Sequence, residues 1–150
     1  MLSKTDKIFL NKFNFGFTLV ELLMVMTVLG VLAGLVLVNY PASQMRARDA
    51  RRRSDIKQYQ TSFEIYYNRN NNYPTTGGTV NLVGLCGTLG LTGCPNDPKS
   101  GNYQTNSDGT QFAMWAQLEQ PISPVTYFIV CSNGRTGTHT AIGGPACPLP

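Results

Sequence analysis

Eight acidic side chains, four cysteines and one histidine are the residues of this 150-residue sequence whose types could do chemistry. The cysteines stand at 86, 94, 131 and 147, with seven residues between the first two and fifteen between the last two. That spacing lacks the close Cys-x-x-Cys pairs that hold most zinc sites. An even set in a small, loop-rich region reads instead as disulfides, which form and persist outside the reducing cytoplasm. Four cysteines allow three connectivities, and nearness in sequence favours Cys86 with Cys94 and Cys131 with Cys147. His139, the single histidine, sits in RTGTHTAIGG with no carboxylate beside it, which reads as a surface side chain rather than a general base. The glycines of GLCGTLGLTGC lead into neither the Lys nor the helix of a phosphate-binding loop, and the run is too short for a collagen repeat. No nucleophile elbow and no zinc-binding pair of histidines is present. The catalytic inventory is thin, and nothing in it motivates an enzyme.

One carboxylate stands out of place. Residues 17–38, FTLVELLMVMTVLGVLAGLVLV, are apolar except for Thr18, Glu21 and Thr27. As a helix they reach about 33 Å, enough to span a bilayer. Glu21 lies inside this run, where a charge costs about 2.5–3.5 kcal/mol on insertion scales. Such a residue needs a partner. The leader before the run carries Lys4, Lys7 and Lys12, which suggests a secretory signal. That reading fails, because the run exceeds the usual signal core and no small-x-small cleavage site follows in VLVNYPASQ.

The totals bound what these residues can belong to. A chain of this length suits one domain plus an anchor. The net charge of +4 is local, since three of the twelve basic residues precede the apolar run and five arginines crowd residues 46–53. A basic whole-chain balance is therefore weak evidence for nucleic-acid binding. Only 13% of residues are charged, and Gly, Pro, Thr and Asn are plentiful after residue 70, as in a loop-rich polar domain. Counting Lys and Arg by the positive-inside rule would place the C-terminal side in the cytoplasm. The cysteines argue the reverse, and long domains translocate with little regard to charge, so the N-terminus is expected inside.

The same residues carry a family resemblance. A short basic leader ending in Gly16, followed by Phe17-Thr18-Leu19-Val20-Glu21-Leu22-Leu23 opening an apolar helix, resembles the prepilins: type IV pilins and the pseudopilins of type II secretion systems. The motif covers about a quarter of the chain. It implies that a prepilin peptidase cuts between Gly16 and Phe17, methylates the new amine of Phe17 and leaves the apolar helix as an anchor. Cleavage would leave 134 residues and lower the net charge from +4 to +2. It implies a partner for Glu21 as well. In pilin-like filaments the corresponding glutamate is thought to meet the N-terminal amine of a neighbouring subunit, which offsets the cost of burial only once subunits assemble.

These elements must be positioned by the rest of the chain. Ile56, Tyr59, Phe63 and Tyr66 or Tyr67 recur at helical spacing, and Arg52, Arg53, Asp55, Lys57 and Gln60 fall largely elsewhere. An amphipathic helix over about residues 43–69 is expected, its apolar stripe packed on a sheet. Pro41 predicts a kink or local break near residues 37–41, with Gly30 and Gly34 weakening the same region. In the pilin family such a segment can lose helicity when subunits pack, and the same is expected here for residues 30–41. The cluster RARDARRR reads as a solvated or lipid-headgroup-facing collar partly paired with Asp49 and Asp55. NRNNNYPTTGG ends the helix, and strands are expected at 103–106, 111–119 and 125–131. The tail from residue 132 is polar, rich in Gly and Pro, and expected to be tethered through Cys147. CPNDPKSGNY resembles the loop before the sheet in major pseudopilins, where calcium is bound nearby. Asp97 and Asp108 are thus weak calcium candidates, set against ordinary turn-forming roles.

The fold class expected is α+β, pilin-like: a long N-terminal helix, membrane-spanning then amphipathic, packed on a small antiparallel sheet. The organisation is a leader at 1–16, a transmembrane and polymerisation helix at 17–40, an amphipathic helix at 41–70 and a disulfide-bearing sheet domain at 71–150. The function expected is a structural filament subunit in the cytoplasmic membrane, its C-terminal domain outside. Its partners would be copies of itself, a prepilin peptidase, an inner-membrane assembly platform and lipid. A minor pilin acting as an adhesin or capturing DNA is the alternative.

Overall fold

A computed structural model describes residues 16–150, apart from the side chains of residues 37–39. The leader, with Lys4, Lys7 and Lys12, lies outside the described residues up to Gly16. The chain divides into two compact units that part between Tyr40 and Pro41.

The first unit is the opening part of helix α1 (Leu19–Asn70). Thr18 caps it, its hydroxyl oxygen accepting from the Glu21 N–H at 3.2 Å. Thr18-Leu19-Val20-Glu21 has the spacing of a capping box, and a carboxylate in the first turn suits the positive end of the helix dipole. The window Leu19–Val36 has a mean hydropathy of 2.5 and buries none of its residues within the chain. The helix runs through Pro41 without interruption. The local break that proline predicts is therefore absent from the single chain. Pro41 is the first residue of the second unit.

The second unit, Pro41–Pro150, contains the rest of α1 and a five-stranded antiparallel sheet in simple meander order. The strands are β1 (Val80–Asn81), β2 (Gln104–Ser107), β3 (Phe112–Gln117), β4 (Tyr127–Cys131) and β5 (Thr136–His139). Between β1 and β2 the chain makes a 3-10 turn at Leu82–Leu85 and a one-turn helix α2 (Cys86–Leu89). Helix α1 stops where Asn71 takes a left-handed conformation, φ 59°, its N–H donating to the Tyr67 carbonyl at 2.7 Å.

The stripe on α1 does what its spacing predicts: Ile56, Tyr59 and Phe63 are fully buried. They pack in one cluster with Tyr73, Tyr103, Phe112, Met114, Ala116, Phe128 and Val130. Phe63 meets Phe112 at 4.9 Å between ring centroids, and Tyr73 meets the same ring edge-on at 4.7 Å. Each such side chain contributes about 1.5–3 kcal/mol by leaving water. Phe112, Met114 and Ala116 alternate with Ala113 and Trp115, which sit in a second cluster with Ile129 and Cys131 on the opposite face. That face is covered by the tail, since Cys147 and Leu149 pack against it. The polar tail thus returns as β5 and a lid on the sheet, not as a loop held at one point.

Candidate functional site

Two places in the molecule have the features of a functional site, one in each unit. On the first, the apolar helix presents Leu19, Val20, Leu22, Leu23, Met24 and their successors to its surroundings, each at least half exposed. A surface of that kind in water would be intolerable. Phe17 is 80% exposed. A Cβ placed at Gly30 or Gly34 would meet nothing within 4 Å. Nothing among the described residues requires glycine there. Two small residues four apart are the pattern that lets a second helix approach closely in lipid.

On the second unit the sequence cluster RARDARRR is split by burial. Arg52 lies four residues before Ile56, on the same stripe, and is 4% exposed. Its Nε and Nη2 donate to Asp97 Oδ2 and Oδ1 at 2.6 and 3.0 Å. Its Nη1 donates to Asp49 Oδ1 at 2.8 Å and Glu119 Oε1 at 2.9 Å. Arg48 closes the set with a two-pronged contact to Glu119, Nε to Oε1 and Nη2 to Oε2, both 2.7 Å. Asp49 accepts in addition from the backbone N–H of Glu119 and Gln120, at 2.9 and 3.0 Å. Asp97 accepts from the N–H of Lys99, Ser100 and Gly101. A Cβ at Gly101 would lie 3.1 Å from that carboxylate, so glycine is needed for the approach. Two arginines on α1 thereby fasten the loop before β2 and the loop after β3 to the helix.

Electrostatics follow from this geometry. Hydrogen bonds from Arg48, and then from Arg52, bring the Glu119 carboxyl down to about 2 against the pull of burial. Burial pushes the Asp97 carboxyl up, but Arg52 and the three N–H donors outweigh it and hold the group well below the usual carboxylate range. The Arg52 guanidinium is raised, chiefly by Asp97 and against its own desolvation. Nearby, burial and then Asp55 hold the Tyr59 hydroxyl up at about 12, and that hydroxyl donates to the Pro95 carbonyl at 2.8 Å. Tyr103 donates to Asp55 Oδ2 at 2.7 Å.

The structure separates the two calcium candidates. Asp97 belongs to the arginine network, whereas Asp108 closes its own turn on Thr110 and Gln111. They share no partner. A guanidinium on both oxygens of Asp97 puts positive charge where a divalent cation would sit, so these residues as arranged do not fit calcium. Among the described residues no group of three or more His, Cys, Asp or Glu is placed to hold a metal ion. His139 lies in β5 with its Nδ1 3.0 Å from the Ala141 backbone nitrogen, which donates to it. The cysteines are joined as Cys86–Cys94 and Cys131–Cys147, with S–S lengths of 2.05 and 2.08 Å. The first bond closes the α2 loop and the second holds the tail to β4.

Sequence reasoning missed the buried arginine site. The signal was available: Arg52 extends the spacing of Ile56, Tyr59 and Phe63 by one turn toward the N-terminus. A basic residue on an apolar stripe needs carboxylates from elsewhere in the fold. Glu119, remote in sequence, supplied no local sign.

Comparison with known proteins agrees with both units. A family model described as the prokaryotic N-terminal methylation motif matches residues 11–37. The type II secretion system core protein G of Aeromonas hydrophila is 39% identical over 133 residues, covering 85% of this chain and 90% of that protein. The protein of the same name from Vibrio cholerae is 30% identical over 129 residues, covering 81% of this chain and 83% of its own. The type IV major pilin protein PilA of Myxococcus xanthus is 22% identical over 148 residues, covering 89% of this chain and 66% of the pilin. No solved structure matches the chain. A methylation motif at the head of an exposed apolar helix and a relative aligned through the sheet domain have one explanation: the chain belongs to the pilin and pseudopilin family, membrane-anchored structural subunits of filaments.

Proposed function

We propose that the chain is a pseudopilus subunit of a type II secretion system. The observation that carries this reading is the 39% identity to a type II secretion core protein G, which runs through the sheet domain as well as the helix. In this reading a prepilin peptidase cuts between Gly16 and Phe17 and methylates the Phe17 amine. The chain then spans the cytoplasmic membrane once, its sheet domain outside, where the four cysteines can oxidise. An inner-membrane platform adds subunits to a helical filament. Within it Glu21 meets the amine of a neighbour. Residues 30–41 lose helicity in the filament, with Pro41 the residue least able to keep its helical hydrogen bond.

Glu21→Ala tests the assignment. Processing should continue, read as the mass of the membrane-extracted protein, while filament yield on overexpression falls to background and secretion stops. Normal filaments from that variant would sink the role of Glu21. Gly16→Val should instead leave the leader uncut. The type IV pilus reading has the support of the Myxococcus xanthus pilin, and predicts surface pili and no secretion defect. The DNA-capturing version is disfavoured by the fact that Arg48 and Arg52 are committed to Glu119, Asp97 and Asp49.

A further inference from the structure

The six carboxylates of the sheet unit are all engaged within it. Asp49, Asp97 and Glu119 take up Arg48 and Arg52. Asp55 accepts from Tyr103, Glu64 from Tyr73 and Asp108 from its own turn. Along one edge of α1 the basic residues are not so matched. Arg46, Arg53 and Lys57, seven and four residues apart, form one exposed stripe. Among the described residues none of the three has a carboxylate partner, although Arg53 lies over the Phe128 ring at 5.5 Å. Small Ala50 separates the two arginines. Together with Asp49, Gln120 and Pro121 they line a recess of about 500 Å³. Asp49 brings a negative charge into that wall, but both of its oxygens are taken, by Arg52 and by two backbone N–H groups.

The loop beside this recess is apolar where it meets solvent. Ile122 is 77% exposed and Val125 is 45% exposed, on a stretch that reads QPISPVT. Arg46 follows Val36, the end of the apolar window, by ten residues. Those ten residues reach about 15 Å as helix and no more than about 36 Å fully extended. Chain length alone bounds the distance of Arg46 from the end of the apolar window, whatever the arrangement of the two units. Gln120 and Pro121 join the arginine recess to this aliphatic tip, whose Ile122 and Val125 line the neighbouring cavity beside Met45 and Trp115. Unmatched arginines and exposed aliphatic side chains on one short loop and helix edge are the chemistry of an interfacial docking site.

We infer that Arg46, Arg53 and the loop at residues 120–125 form a docking surface for anionic phospholipid headgroups. The guanidinium groups take the phosphates and Ile122 enters the acyl boundary. The contact holds the sheet domain against the membrane before the subunit enters a filament. This rests on Leu19–Val36 being a membrane span, and one experiment separates the two claims. The full chain is placed in nanodiscs of phosphatidylcholine alone, or with phosphatidylglycerol, and backbone hydrogen exchange is followed over residues 119–127. Phosphatidylglycerol should slow exchange at Ile122, Ser123 and Val125 about tenfold. The double variant Arg46→Glu, Arg53→Glu should abolish the slowing, and Ile122→Ser should weaken it. Unchanged exchange in β3 and β4 reports that each variant is folded. Equal exchange in both discs, or slowing that survives charge reversal, would overturn the site. Slowing that needs added duplex DNA, or that scales with the number of chains per disc, overturns it in favour of nucleic acid or a second copy. A chain that does not enter the discs at all overturns the span and the docking surface together; entry without lipid-dependent slowing removes only the latter.

Discussion

The two units of this molecule satisfy their physical requirements in opposite ways. In the sheet unit no buried side-chain nitrogen or oxygen lacks a hydrogen-bond partner among the described residues, and a charged residue as deep as Arg52 has three carboxylates. In the helical unit none of the residues of Leu19–Val36 is buried among the described residues, and the bond that Glu21 makes to Thr18 comes from its backbone N–H and leaves its carboxylate free of that contact. The difference separates what one chain completes from what it leaves for lipid or another chain. A stability measurement therefore reports on the second unit, and an assembly measurement on the first.

The strongest way to break that division is at Gly34. A leucine there has open space around it in the single chain and improves helix propensity by about 1 kcal/mol. Gly34→Leu should leave the thermal midpoint of the sheet unit unchanged while filament yield drops to background. Full assembly by the variant would mean that this stretch neither packs closely on a neighbour nor has to give up its helix in the filament.

The converse change belongs on the sheet side. Arg52→Ala leaves Asp97 buried without its cation and unties two loops, at a cost of about 3–5 kcal/mol. Its neighbour offers an internal comparison, because Arg51 is 64% exposed and 3.8 Å from Asp55. Arg51→Ala should cost no more than about 0.5 kcal/mol. Urea unfolding of both distinguishes them, and equal effects would reduce the buried network to an ordinary charged collar.

A smaller effect is expected at the tail. Removing the Cys131–Cys147 bond, whose sequence separation is 16, should cost about 3 kcal/mol on the loop-entropy scale. Tail and sheet should part before the helix does. Trp115, the single tryptophan, is 2% exposed on the face that the tail covers. Its emission should shift to the red in the Cys131→Ala, Cys147→Ala variant under conditions where helix content is intact.

The same division governs how much the sequence could reveal. The apolar run is continuous and long enough to span a bilayer, and Ile56, Tyr59 and Phe63 recur at helical spacing, so both parts of α1 were legible from residue types. Three strands were legible at 103–106, 111–119 and 125–131, within a residue or two of β2, β3 and β4. Strands β1 and β5 were not. Val80–Asn81 is two residues long, and Thr136–His139 is polar in a glycine-rich tail, paired through its backbone to β4 rather than by apolar alternation. The arginine network escaped for a related reason. Its members stand up to 71 residues apart, and only the fold brings the loop after β3 back to α1. Local patterns carry local structure, and sites closed by long-range pairing leave little local trace.

Acid should expose that long-range site by degrees. Glu119 is brought down to about 2 from its ordinary 4.5, and Asp97 is lowered from 3.8. Carboxylates lowered by folding bind protons more readily in the unfolded chain, so they stabilise fully above about pH 4.5, and this contribution fades as pH falls toward 2. Asp108, also held at about 2, first by the Gln111 N–H and then by Thr110, does not depend on the arginines. In Arg52→Ala the loss of stability between pH 4.5 and 2 should therefore be shallower than in the parent but not absent, since Asp108 and the Arg48–Glu119 contact persist. Asp108→Asn in that background should flatten it further. Curves for parent and Arg52→Ala that run parallel through this range would show that the acid sensitivity of the sheet unit lies outside the network that joins its loops to the helix.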